Sequence, residues 1–160
     1  MIHYGVDHPM KNNDICNKAM KNRRNRCYMI DGYYFDSRPE FCFYVCCKDF
    51  GIEVECHPID KAMTYFDYDG KRHRYFPDFY VPSIGRIVEI KGNQFFKNHD
   101  ESSEMFNLYC NGSKNDGKNL AKYKCMLENN VLIVSTSRYV LYENHVKRKY
   151  GKQWIEKHKI

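Results

Sequence analysis

The chain of 160 residues has no apolar run long enough to cross a bilayer, so no membrane partner is expected. Its N-terminal region lacks the apolar core of a secretory signal, and its eight cysteines therefore read as reduced thiols of a cytoplasmic protein. A paired C-x2-C knuckle is also missing. Cys42, Cys46 and Cys47, with Cys56-His57, could donate to zinc. However, Cys42 and Cys46 stand one helical turn apart among apolar residues, which is the pattern of thiols buried in a core helix. No internal repeat is present, which excludes a solenoid or propeller.

What is present is enough for one folded domain: 42% hydrophobic and 16% aromatic residues. The net charge of +6 is unevenly placed. Residues 1–30 carry six Lys/Arg against two acids, and residues 131–160 carry seven against two, so the middle of the chain is net acidic. Basic ends around an acidic centre suit a polyanion such as DNA, with carboxylates gathered where a cation can sit. Plain solubility is the competing explanation for such ends.

Residues 1–26 are polar and basic with little periodicity, and read as a basic arm, or the remnant of a DNA-binding segment, with one short helix near 14–23. Arg23, Arg24 and Arg26 in it are candidate DNA contacts, and a domain follows over 27–160. Ser37, Pro39 and Glu40 make a helix start, with Ser37 as N-cap and Glu40 three residues on, as in a capping box. The spacing predicts a helix over 38–49, with Phe41, Tyr44, Val45 and Lys48 on one mostly apolar face. Two strands, 61–68 and 71–81, flank Asp69-Gly70, a hairpin signal. A turn at Pro82–Gly85 leads into a strand over 86–91. A long polar loop follows Gly92. Then come a helix over 118–129 with Leu120, Tyr123 and Leu127 on one side, the short strand "VLIVST", and a helix over 138–149 capped by Thr136 or Ser137 and broken at Gly151. That order gives an α/β fold: a mixed central sheet flanked by helices, with a C-terminal helical extension.

Three charges interrupt the apolar pattern of "RYFPDFYVPSIGRIVEIKG": Asp78, Glu89 and Lys91. Strand side chains alternate, so Asp78 shares a face with Phe76 and Tyr80, and Glu89 shares one with Lys91. If the two strands pair antiparallel through the short turn, the carboxylates sit side by side. Adjacent carboxylates repel unless a cation lies between them. Oxygen ligands without nearby His or Cys suit Mg²⁺. A lysine beside them can position water, which completes the parts for phosphodiester hydrolysis. An Asp–Lys–Glu ion network on a solvated sheet face is the other reading. Pro77, which breaks a ladder just before Asp78, favours a site.

Pro77-Asp78 followed by Glu89-Ile90-Lys91 resembles the PD-(D/E)XK nuclease signature. The segments "YGVDHPM", "DGYYFDSRPEF", "RYFPDFYV" and "EIKG" are similar to those of small phage-type, homing-endonuclease-like nucleases. The resemblance covers residues 28–135. It implies a restriction-endonuclease-like core of order α-β-β-β-α-β and a metal-dependent DNA endonuclease working inside a bacterial or phage-infected cell. It implies Asp78 and Glu89 as ligands of Mg²⁺ (with Mn²⁺ substituting), joined by the carbonyl of Ile90. Lys91 is then the motif lysine, Glu40 an additional ligand or water contact, and Lys122 a basic residue aimed at the scissile phosphate. Glu40 can equally be only the capping partner of Ser37, and Lys122 an ordinary surface lysine. The chain departs from such nucleases at Asn93-Gln94, where they carry an acid and a histidine. Arg72 and Arg74, and Lys147, Arg148 and Lys149, are further candidate DNA contacts. Double-strand cleavage would call for a homodimer or a second binding event; aromatics near Tyr33-Tyr34 are a candidate dimer face that the sequence does not decide. A catalytically silent DNA-binding module and a mismatch-directed repair nickase are the rival functions.

Overall fold

The structure, a computed structural model, describes residues 28–96 and 116–160. The basic arm with Arg23, Arg24 and Arg26, and most of the stretch after Gly92, lie outside the described residues.

Strands β1 (Tyr28–Ile30) and β2 (Tyr33–Phe35) form a two-residue hairpin at Asp31-Gly32. Both turn residues have positive φ (53° and 79°), as this tight connection requires, and Asp-Gly supplies that at low cost. Helix α1 (Arg38–Asp49) then starts as its sequence predicts. The Ser37 hydroxyl accepts from the Glu40 N–H at 3.3 Å and donates to Glu40 Oε1 at 3.0 Å. The helix is enclosed on all sides rather than on one face: every residue from Glu40 to Cys47 is buried, and only Lys48 of the expected face is exposed.

A mixed four-stranded sheet has the order β3 (Glu55–Cys56), β6 (Phe79–Val81), β7 (Arg86–Ile90), β8 (Leu132–Val134). β3–β6 and β6–β7 are antiparallel, whereas β7–β8 is parallel and joined through helix α2 (Asp116–Glu128). Strands β4 (Met63–Phe66) and β5 (Arg72–Tyr75) form a separate two-stranded ribbon. This corrects the single strand expected over 71–81. Pro77 has no N–H for a ladder, so the chain leaves the ribbon after Tyr75 and joins the main sheet at Phe79. Strand 61–68 consequently lies outside the main sheet, and the short β3 takes its edge. Helix α3 (Thr136–Tyr150) begins two residues earlier than expected, with Ser135 as its N-cap, and α4 (Lys152–Lys157) follows the break at Gly151.

Two cores result. In the first, α1 packs between the main sheet and α3/α4, with Phe35, Phe41, Phe79, Val88, Ile90 and Val146 at its centre. The second lies between the β4–β5 ribbon and α2 and holds Tyr65, Tyr75, Tyr123 and Met126. Of the expected helix face, Tyr123 is buried here and Leu120 packs against this core, but Leu127 is corrected: it is exposed, and Met126 fills the core at the helix's last turn. β1 is tied to the chain's far end by Met29 N–H donating to the His158 carbonyl at 2.8 Å. The proposed dimer face is corrected too. Tyr34 is buried and Tyr33 packs its ring 5.6 Å from Tyr44, so these aromatics belong to the core.

Cys42, Cys46, Cys47, Cys56 and Cys125 are buried free thiols. Burial pushes Cys42 and Cys46 up to about 12 and Cys47 up to about 11, and these thiols pack in the first core among apolar side chains. Among the described residues no helix is long and apolar enough to cross a membrane.

Candidate active site

β7 runs along the seam between the two cores. Val88 and Ile90 face the first core, while Ile87 packs against the second. Alternation puts Glu89 on the same side as Ile87, and it is 1% exposed there. The register Phe79↔Val88 places Asp78 beside Glu89, as the antiparallel reading expects. Phe76 does not share this face, since the chain has left the ribbon and the ring is exposed.

The hydrogen bonds fix each oxygen. Asp78 Oδ2 accepts from the Ile90 N–H at 2.9 Å. The Asp78 N–H, released from any ladder by the break at Pro77, donates to Glu89 Oε2 at 3.3 Å. The Tyr75 hydroxyl donates to the same oxygen at 2.6 Å. Lys91 Nζ lies 2.7 Å from Glu89 Oε1, with Lys122 Nζ 4.0 Å from that atom. The ammonium groups also lie over rings, Lys91 5.0 Å from Phe95 and Lys122 5.0 Å from Tyr75. Lys122 thus reaches the site from α2 and is no ordinary surface lysine. Glu40 reaches it electrostatically from the start of α1, but both its oxygens serve the cap: Oε1 accepts from Ser37, and Oε2 from the Asp36 N–H at 3.3 Å.

Charge is distributed unequally over these groups. Burial, then the Glu89 and Glu40 charges, raise Asp78 well above the usual carboxylate range, against the pull of Lys91. Burial and the neighbouring Asp36 push Glu40 up to about 7. Burial also opposes the charge on Glu89, but Lys91 and Lys122 outweigh it and hold Glu89 below its ordinary value. Lys91 loses charge stability by burial yet is raised overall by Glu89 and Asp78, while Lys122 is lowered by burial and by Lys91. The cluster is therefore centred on a Glu89 carboxylate held by Lys91, beside an Asp78 whose ionised form is disfavoured.

Among the described residues no three His, Cys, Asp or Glu side chains form a ready-made metal cage. Mg²⁺ keeps several waters and needs only one or two carboxylates, so Asp78, Glu89 and the Ile90 carbonyl are a chemically suitable donor set. The raised Asp78 and Glu40 are an observation in favour of that fit: buried carboxyl groups crowd one another here, and a cation would relieve them. Two residues beyond Lys91, the Asn93 side-chain oxygen is buried without a hydrogen-bond partner.

The remaining candidates are dispersed. Arg72 and Arg74 are exposed on the outer face of β5. Lys149 is 3.1 Å from Asp49, and Lys147 is 3.5 Å from Glu143, so both have intramolecular partners. Arg148 is exposed. Tyr75 was not anticipated as a site residue. Its signal is a tyrosine on the buried alternation of β5, where the hydroxyl must find a partner.

No protein-family model, curated protein or solved structure matches the chain.

Proposed function

We propose that this chain is a metal-dependent DNA endonuclease with a restriction-endonuclease-like core. The observation that carries the proposal is the juxtaposition of Asp78 and Glu89 across β6 and β7 with Lys91 on Glu89. Asp78, Glu89 and the Ile90 carbonyl would hold Mg²⁺ or Mn²⁺, with Glu40 contributing through water. Bound there, the ion supplies Lewis-acid stabilisation of the charge that builds on the phosphate.

The chain's own groups do the rest. Lys91 stays protonated beside Glu89, so it orients the attacking water and donates to developing negative charge rather than abstracting a proton. Lys122, approaching from α2 with a weakened hold on its proton, contacts the phosphate. Tyr75 and the Asp78 N–H hold Glu89 Oε2 and Lys91 holds Oε1, which fixes the orientation of the carboxylate that would bind the cation. Exposed Arg72, Arg74 and Arg148, together with the arm's Arg23, Arg24 and Arg26, supply phosphate contacts.

One observation favours a second reading, a catalytically silent DNA-binding module. Both Glu89 oxygens already have partners in Tyr75 and Lys91, which is how a purely structural ion network looks. Incubation with supercoiled plasmid separates the two readings. Nicking or linearisation with Mg²⁺ or Mn²⁺ that is lost in EDTA supports the nuclease. Plasmid binding without cleavage under any divalent ion supports the silent module.

A further inference from the structure

The β4–β5 ribbon has one face that neither core covers. Its register sets Phe66 opposite Arg72 and Thr64 opposite Arg74. All four are exposed, while the alternate residues Tyr65 and Tyr75 turn into the second core. Phe76, just beyond β5 and against the outward Arg74, extends this region, while Tyr68 in the turn is held from the α2 side by Lys124. Phe66, Tyr68 and Phe76 are 61%, 63% and 57% exposed, and Phe50 is the one other aromatic among the described residues left so open.

Cations accompany these rings. The Arg74 guanidinium lies 5.2 Å from the Phe76 centroid. Lys124 Nζ lies 5.3 Å from the Tyr68 centroid and donates to its hydroxyl at 3.0 Å. Arg72 stands across the ladder from Phe66, with exposed Lys71 beside it. Of the two acids in the turn, Asp67 is turned onto the N–H groups of Asp69 and Lys71 and onto His73 at 2.7 Å, which leaves Asp69 as the acid at the tip.

Open rings interleaved with exposed cations match a base with an accessible π-face and the phosphate that accompanies it. A duplex offers the phosphates but hides its base faces in the stack. An apolar protein partner would be met by the rings and repelled by the unpaired guanidinium groups. The ribbon is also continuous with the site, because the chain passes from Tyr75 through Phe76 and Pro77 into Asp78.

We propose that the outer face of β4–β5 is a stacking platform for unpaired bases of single-stranded DNA, in which Phe66 and Phe76 take bases and Arg72 and Arg74 take phosphates. The proposal rests on the nuclease reading and narrows its substrate to DNA with an unpaired segment, such as an overhang, bubble or branch.

The test is binding of the full chain, in EDTA, to a fluorescent single-stranded oligonucleotide and to a blunt duplex of the same length over a range of salt. Tighter binding of the single strand is expected, and Phe66→Ala and Phe76→Ala should each weaken it by roughly tenfold, within the range for loss of one stacked base. Neither variant should weaken duplex binding or lower the melting temperature, since both rings are already in solvent. Phe66→Leu, which keeps an apolar side chain but loses the π-face, should behave like Phe66→Ala. Arg72→Gln and Arg74→Gln should each flatten the salt dependence on the single strand by about 0.7. Equal affinity of native chain and Phe66→Ala for the single strand would overturn the platform. So would a change from dimer to monomer in Phe66→Ala with single-strand affinity retained, which would make the face a contact between copies. The readout is independent of cleavage: Phe66-sensitive binding without any nuclease activity would sink the nuclease reading alone, and cleavage with Phe66-insensitive binding would sink the platform alone.

Discussion

Tyr75 and Glu89 are joined by a 2.6 Å hydrogen bond that links the ribbon core to the central sheet. The bond explains how a carboxylate is kept in the middle of an apolar strand. Its two oxygens are held by a hydroxyl from β5, a backbone N–H freed at Pro77, and an ammonium two residues along its own strand. Removing the hydroxyl leaves a buried carboxylate with one donor fewer. Tyr75→Phe should therefore lower stability by about 2 kcal/mol, the range for a hydrogen bond to a charged group. Urea denaturation checks this through a lower midpoint at unchanged slope.

The ionised form of Asp78 is disfavoured when no cation is present. Asp78→Asn keeps an oxygen able to accept from the Ile90 N–H and removes a carboxyl whose ionisation is opposed by burial and by the Glu89 and Glu40 charges. Cleavage of plasmid should be lost, while the melting temperature in EDTA should stay level or rise. An active Asp78→Asn variant would remove Asp78 from the site.

Lys91→Gln tests the lysine's two roles together. It removes the close cation from a buried carboxylate, for which about 3 kcal/mol of stability is expected to be lost, with Lys122 limiting the damage. Turnover should fall by about 10²–10³, the cost of losing one donor to developing charge. Single-turnover cleavage under saturating metal measures the second effect. Unchanged turnover would make Lys91 structural.

Glu40 gives a pH signature. Its folded value of about 7 lies above that of a free glutamate, so between the two values the folded state binds more protons than the unfolded one. Glu40 therefore makes stability fall as pH rises through that window. Glu40→Gln should flatten this dependence between roughly pH 4.5 and 7 and raise the melting temperature above neutrality. Thermal melts at several pH values in EDTA check it, and an unchanged profile would place the Glu40 charge elsewhere.

Local rules carried the legible parts of the fold. Ser37, Pro39 and Glu40 define the start of α1 because a cap is decided within four residues. Asp78, Glu89 and Lys91 come together because pairing across one short turn follows from alternation and register alone. The Asp31-Gly32 hairpin carries the same dipeptide signal as Asp69-Gly70, but its strands of three residues are too short to show alternation. Strand 71–81 looked continuous in its apolar pattern. Pro77 divides it between two sheets, and which sheet each half joins depends on long-range packing of the ribbon onto α2. Leu127 and Met126 exchanged places for the same reason: helical periodicity defines a face but not which residue of the last turn meets a partner. Lys122 came from the resemblance rather than from any local pattern, because only the docking of α2 brings it within 4.0 Å of Glu89.

The central claim is that Asp78 and Glu89 hold a divalent cation, and calorimetric titration of the full chain with Mg²⁺ and Mn²⁺ at several pH values addresses it without reference to any substrate. Burial and the Glu89 and Glu40 charges disfavour the ionised form of Asp78 and a bound cation favours it, so affinity for the ion should rise with pH. Saturable binding that tightens as pH rises and is lost in Asp78→Asn is the expected result. Absence of saturable binding, or binding unaffected by Asp78→Asn, would contradict a metal site at this carboxylate pair.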